Sequence, residues 1–183
     1  MDLKEGVEHP LNAEVKLTDL EDGIYVPPGS DILGKQAGNQ MWRSPEAHAS
    51  GRLNKPSDIF SFGIVCIYAV LKDIIFAIDE ADLEGGAVEP QAIILERQIS
   101  YFSDPEGLQG LLDHLGDNPW CDILAIIRSG VGIEENPARP FQIRKGVDSV
   151  FKDLIKGLTN MDPARRLTAR EALAHQWFDD EQS

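Results

Sequence analysis

Among the residues able to do chemistry, Asp19 stands out by its position. It follows the alternating run Glu14-Val15-Lys16-Leu17-Thr18 and precedes Leu20-Glu21-Asp22-Gly23. A carboxylate leaving a buried strand for a turn suits a hard cation. An ordinary turn aspartate has the same signature, and the residues alone leave both readings open. Trp42 and Arg43 stand before Ser44-Pro45-Glu46; an aromatic ring beside a guanidinium makes a good contact surface, or simply packs locally. Other chemistries find little support. Cys66 and Cys121 are too few for a disulfide framework or a four-ligand metal site. His9, His48, His114 and His175 have no metal-binding spacing. Gly29, Gly34 and Gly38 do not form a phosphate loop, because their stretch does not bridge two strands.

The elements that must position these residues read as mainly helical. Ser57 to Leu71 is the most apolar segment, and Ile64 to Leu71 carries neither a charge nor an amide. A helix apolar on every side must be surrounded by protein, so this one is expected at the centre, with Cys66 as a small core residue. Asn54 offers a cap for it and Pro56 suits its first turn. Glu14–Thr18 and Ile24–Val26 read as short strands and Pro27 to Asn39 as a long loop. Ser44-Pro45-Glu46 starts a short helix. Beyond an acidic connector, Asp79 to Pro90, helices are expected over Gln91–Phe102, around Leu108, Leu111, Leu112 and Leu115, and over Trp120–Ile127. Val147, Val150, Phe151, Leu154, Ile155 and Leu158 form the clearest amphipathic pattern. Asp162-Pro163 starts a turn, and Thr168-Ala169-Arg170-Glu171 is a capping box for a last helix through Ala174.

Composition bounds the partners. With 31 acids against 17 bases the formal net charge is −14, which argues against a nucleic-acid partner, since such binding rests on clustered Lys and Arg. No apolar run approaches the roughly 18 residues of a membrane span, and Met1-Asp2-Leu3-Lys4-Glu5 is not a signal peptide. The expectation is an intracellular soluble protein, cytoplasmic, with the nucleus left open.

Four segments, in order, resemble the C-terminal lobe of a eukaryotic protein kinase domain, in a form similar to a divergent fungal branch. Val15-Lys16-Leu17-Thr18-Asp19-Leu20-Glu21 resembles the strand leading into Asp-Phe-Gly. Gly38-Asn39-Gln40-Met41-Trp42-Arg43-Ser44-Pro45-Glu46 resembles the end of the activation segment. Lys55-Pro56-Ser57-Asp58-Ile59-Phe60-Ser61-Phe62-Gly63 resembles the start of the central helix. Asp162-Pro163-Ala164-Arg165-Arg166-Leu167-Thr168-Ala169, with Glu171-Ala172-Leu173 and His175-Gln176-Trp177-Phe178, resembles the closing segment. The resemblance implies that Asp19 holds Mg²⁺ against ATP. It implies that Asn39, Trp42 and Arg43 lie where a protein substrate docks, that Glu46 and Arg166 form an ion pair, and that Asp58 steadies the catalytic-loop backbone. His175 becomes a packed structural residue. Asp2-Leu3-Lys4 resembles the catalytic loop, with Asp2 as acid/base and Lys4 on the phosphate, or is a chance match.

The departures bear on activity. Glu21 stands for the Gly of Asp-Phe-Gly, Val7 for the Asn that binds a second metal, and Asn39 where a Thr is common in Ser/Thr kinases. No phosphate loop, Val-Ala-Ile-Lys strand or partner-helix Glu is present. The expected organisation is an irregular remnant over 1–13, a kinase-like lobe over 14–178 and a tail over 179–183. The expected function is the C-lobe of a Ser/Thr protein kinase, as a truncated kinase or pseudokinase inactive by itself. The alternative is a non-catalytic protein-interaction module. With the helix that covers one side of the family's central helix missing, that side is expected to be exposed and to invite a partner or self-association.

Overall fold

The computed structural model describes residues 16, 18, 21, 23–83 and 89–182, and not the side chains of 180–182. The remnant over 1–13 and most of the Glu14–Thr18 strand lie outside the described residues. The architecture is mainly helical, as expected. In chain order the helices are α1 (Pro45–His48), α2 (Lys55–Leu71), α3 (Glu80–Leu83), α4 (Pro90–Phe102), α5 (Pro105–Leu115), α6 (Trp120–Gly130), α7 (Ser149–Leu158) and α8 (Ala169–Leu173). 3₁₀ segments lie at Phe141–Ile143, Pro163–Arg165 and Gln176–Gln182.

α2 is the hub. Phe60, Gly63, Ile64 and Ile67 fall at i, i+3, i+4 and i+7 and are buried, facing α7. The approach is close at Gly63, where an added Cβ would lie 2.7 Å from Thr159 Cγ2 and 3.0 Å from Leu158 Cβ. The helix ends at Lys72, which adopts a left-handed conformation and donates its N–H to the Tyr68 carbonyl. α7 answers with Phe151, Leu154, Ile155 and Leu158, all buried. Its N-terminus is capped by the Asp148 carboxylate, which accepts from the N–H groups of Val150 and Phe151. Val147 falls just before this helix but still packs on the core.

α4 joins two apolar clusters. Ile94 packs with Phe60, Ile64 and the α7 residues, whereas Leu95 and Ile99 pack with Leu111 of α5 and Leu124 of α6. Phe102, at the end of α4, meets Phe60 and Phe76 edge-on at ring separations of 5.9 and 6.1 Å. Asp104 caps α5 by accepting from Gly107 N–H, and the Thr168–Glu171 capping box is formed at α8.

One side of α2 is left open, as expected: Phe62, Val65, Tyr68 and Val70 keep 42–46% of their surface exposed, because the described packing layers lie on the opposite side. Other expectations are corrected. Cys66 is half-buried and packs against the core rather than within it; burial pushes its thiol up to about 11. Ile24–Val26 forms no strand and Tyr25 is 84% exposed. A strand needs a partner for its backbone groups, and the β pairing among the described residues is a single antiparallel bridge, Ile32 with Leu53. The acidic connector holds an unforeseen turn of helix, α3, at whose start Asp79 and Asp82 each accept from the other's N–H. Among the described residues no helix is long and apolar enough to cross a membrane.

Candidate functional site

The site is built around α1 and the loop before it. Pro45 preorganises the first turn, while Ser44 spends its hydroxyl on Ser57 at the start of α2, 2.7 Å away. This leaves Glu46 directed inward, where it meets Arg166. Their side chains are 2% and 0% exposed. Arg166 Nη1 and Nη2 donate to the two carboxylate oxygens at 2.6 and 2.8 Å, a bidentate grip. The remaining N–H groups donate to the carbonyls of Pro56 (2.9 Å), Asn160 (2.7 Å) and Met161 (3.3 Å). The guanidinium also lies 5.0 Å from the Phe60 ring centroid. One arginine thus ties α1, the start of α2 and the segment after α7 together. Burial pushes the Glu46 carboxyl up, but the charge and hydrogen bonds of Arg166 outweigh it and hold the group below its usual range.

The loop is shaped from the other side by Arg43. Its Nε donates to the Ala37 carbonyl at 3.1 Å, and its Nη2 to the Gly38 carbonyl at 2.6 Å. Nη1 donates to Gln36 Oε1 at 3.1 Å. Gly38 has φ +83°, a conformation costly for a residue with a Cβ. Asn39 closes an Asx turn, its side-chain oxygen accepting from Met41 N–H at 3.0 Å. Trp42 is half-buried and meets Tyr68 of α2 edge-on at 5.9 Å. The glutamines that fix this loop carried no signal in the sequence. Gln98 donates to the Arg43 carbonyl at 2.8 Å, and Gln36 and Gln91 both donate to the His48 carbonyl. Beside the loop lies an open, polar hollow lined by Gln36, Gly38 and Asn39.

The structure therefore brings Asn39, Trp42, Arg43 and Glu46 into one segment and joins Arg166 to it. Asp58, in the first turn of α2, makes no hydrogen bond or ion pair among the described residues, and partial burial pushes its carboxyl up. It begins the stripe that runs through Phe62 and Val65 on the open side of α2. His175 is held from both ring nitrogens: Nε2 is 3.2 Å from Asp153, and Nδ1 accepts from Trp177 N–H. Asp2, Lys4 and Asp19 lie outside the described residues. Among the described residues no three His, Cys, Asp or Glu side chains converge as a metal site.

His48 is the unexpected member. It is fully buried, and neither ring nitrogen completes a hydrogen bond among the described residues. Burial first, then the charge of Arg43, lowers its imidazole to about 4, against weaker pulls from the Gln40 carbonyl and Glu46. Its protonation is thus resisted in the fold and unopposed in the unfolded chain.

Two predictions arise from this geometry. Arg166→Ala strands a buried carboxylate and should cost about 3–5 kcal/mol. Arg166→Lys should recover little, because an ammonium cannot reproduce the planar fork. A thermal melt of either variant that matches the parent would contradict the role of the pair. The second concerns pH. The unfolded imidazole takes up its proton near 6.5 and the folded one only near 4, so stability should be full above pH 6.5 and fall by about 3 kcal/mol toward pH 4. Glu46, held below the usual glutamate range, adds a further loss at lower pH. Melts of His48→Leu should lose the slope between pH 6.5 and 4.5 while keeping the drop at lower pH.

Comparison with known proteins places this architecture. The family described as "Protein kinase domain" matches residues 5–178. Human dual specificity protein kinase CLK1 is 24% identical over 177 residues, 92% of this chain and 34% of that protein. Rat dual specificity tyrosine-phosphorylation-regulated kinase 3 is 28% identical over 153 residues, covering 76% and 26%. Cyclin-dependent kinase 11.2 of Caenorhabditis elegans is 29% identical over 104 residues, covering 52% and 15%. The chain thus spans at most about a third of the length of these relatives. Among solved structures, the MAP kinase LmaMPK10 of Leishmania major superposes with a TM-score of 0.56 at 18% identity, over 79% of this chain and 38% of that one. With its helical lobe, its closing segment and a family match over nearly its whole length, the chain belongs to the protein kinase domain family.

Proposed function

We propose that residues 14–178 form the helical, protein-binding side of a Ser/Thr protein kinase, and that this chain by itself does not transfer phosphate at kinase rates. The observation that carries the reading is the double fixing of segment 36–46. Arg43 holds the loop carbonyls from one side, and Arg166 holds Glu46 from the other. Phosphoryl transfer depends on positioning, and a loop held at both ends suits presentation of a protein hydroxyl. ATP would supply the phosphoryl group and Mg²⁺ would neutralise it. Their implied positions are Asp19, Asp2 and Lys4, and Glu21 adds a negative charge beside them. An intracellular setting, cytoplasmic or nuclear, goes with this reading. In a thermal-shift experiment Mg·ATP should leave the melting temperature of this chain unchanged; a clear, saturable rise would overturn the claim that it does not bind nucleotide alone.

A second reading, a non-catalytic interaction module, is favoured by the open side of α2. Phe62, Val65, Tyr68 and Val70 present apolar surface on the helix from which the core is built, below Asp58, which is unpaired among the described residues. Such surface is ordinarily covered by protein. The chain should therefore self-associate in sedimentation experiments, and Phe62→Glu with Val65→Glu should make it monomeric. A parent chain that is monomeric at high concentration and binds no hydrophobic dye would count against a covering partner.

A further inference from the structure

The surface away from segment 36–46 holds a groove that neither reading uses. It follows the junction between the end of α4 and the segment leading into α7. On one side of Pro140 lies a hollow of about 410 Å³ lined by Arg139, Phe141 and Ile143. On the other lies one of about 230 Å³ reaching Lys156 of α7. Tyr101 and Pro140 line both, so the two hollows adjoin. Tyr101 is fixed by stacking on Phe76, with ring centroids 6.2 Å apart and planes 24° apart. Phe141 beneath it is buried, whereas Ile143 is 71% exposed at the rim.

The charges around this groove are uneven. Several nearby carboxylates are engaged within the protein. Asp73 pairs with Arg144 at 2.6 Å, and Asp82 pairs with Arg97 at 2.6 Å. Asp104 caps α5 and lies 3.9 Å from Arg165. Glu96 accepts from Asn136 at 2.8 Å. Arg139 and Lys156, by contrast, are exposed and their side chains have no ion pair among the described residues. Two uncommitted cations flanking an aromatic floor are notable in a chain of net charge −14. They will attract a ligand of opposite sign and set its register.

We propose that this groove docks an extended acidic peptide of a protein partner, with an apolar side chain seated over Tyr101 and Phe141 and carboxylates on Arg139 and Lys156. The apolar floor supplies the anchor, and the two cations supply selection against basic sequences. The groove shares no lining residue with the hollow at 34–39, so docking here is independent of phosphoryl transfer and would hold even if the assignment of segment 36–46 failed.

The test uses the full chain and a fluorescein-labelled peptide, Gly-Glu-Glu-Leu-Phe-Glu-Glu-Gly, followed by fluorescence anisotropy. Saturable binding is expected. Replacing each Glu of the peptide by Gln should weaken it by about tenfold or more. Arg139→Glu and Lys156→Glu should each do the same, with melting temperatures unchanged, because both residues are exposed. Arg170→Glu, a charge reversal on α8 outside the groove, should leave binding intact. Absence of saturable binding, or equal loss in Arg139→Glu and Arg170→Glu, would overturn the proposal. Dimerisation of the chain that Arg139→Glu abolishes would overturn it in favour of a second copy as the occupant.

Discussion

A carboxylate and a guanidinium withdrawn together from water must satisfy each other almost completely, and Glu46 with Arg166 sets the terms for the rest of this lobe. Desolvating either charge alone costs several kcal/mol, so the pair is tolerable only because each N–H of the arginine finds an acceptor. Those acceptors belong to segments far apart in the chain. Satisfying them requires α1, the start of α2 and the turn after α7 to meet at one point. The packing of α2 on α7 through Gly63 brings the two ends within reach, since Gly63 puts no side chain of its own against Leu158 and Thr159. The ion pair thus acts less as a source of net stability than as a condition that other arrangements would fail to meet.

The same point explains how loop order is obtained without a sheet. The 27–43 segment has one β bridge and three glycines at positive φ. By itself such a stretch has little to offset its conformational entropy. Here its carbonyls are collected by Arg43, its far end enters α1, and α1 is anchored by Arg166. Gln36, Gln91 and Gln98 then bind the loop and α1 to α4. Order passes from the core to the loop through polar contacts, and so the residues of this loop are among the most heavily hydrogen-bonded. His48 is the exception, buried with no completed ring hydrogen bond among the described residues.

Much of this was legible in the residues. Periodicity gave α7, the Thr168 capping box gave α8, and Pro-led starts marked α1 and α2. Local chemistry determines these features: a side chain three residues away, a ring that fixes φ, a repeat that matches the helical turn. The kinase resemblance pointed to Glu46 and Arg166, which the structure brings together across 120 residues. What failed to read was equally specific. Ile24–Val26 looks like a strand because alternation is local, but a strand exists only with a neighbour. α3 was missed because Asp79 and Asp82 resemble any acidic linker until their reciprocal bonds are seen. Asn54 and Ser44 were sound cap candidates, yet each turned its side chain to a distant partner, Asp31 and Ser57.

By itself the sequence determined the helical class, the order of the elements and the kinase family, since these rest on patterns that span a few residues or on motifs in order. Tertiary structure alone decided which face of α2 is covered. A run without charge or amide is compatible with burial on every side, and only the arrival of α7 against Phe60, Gly63, Ile64 and Ile67 separates an inner face from an outer one. It also decided which charges remain free. Acids and bases can be counted in the chain, but the pairing that leaves Arg139 and Lys156 uncommitted depends on distances between side chains that only folding brings together.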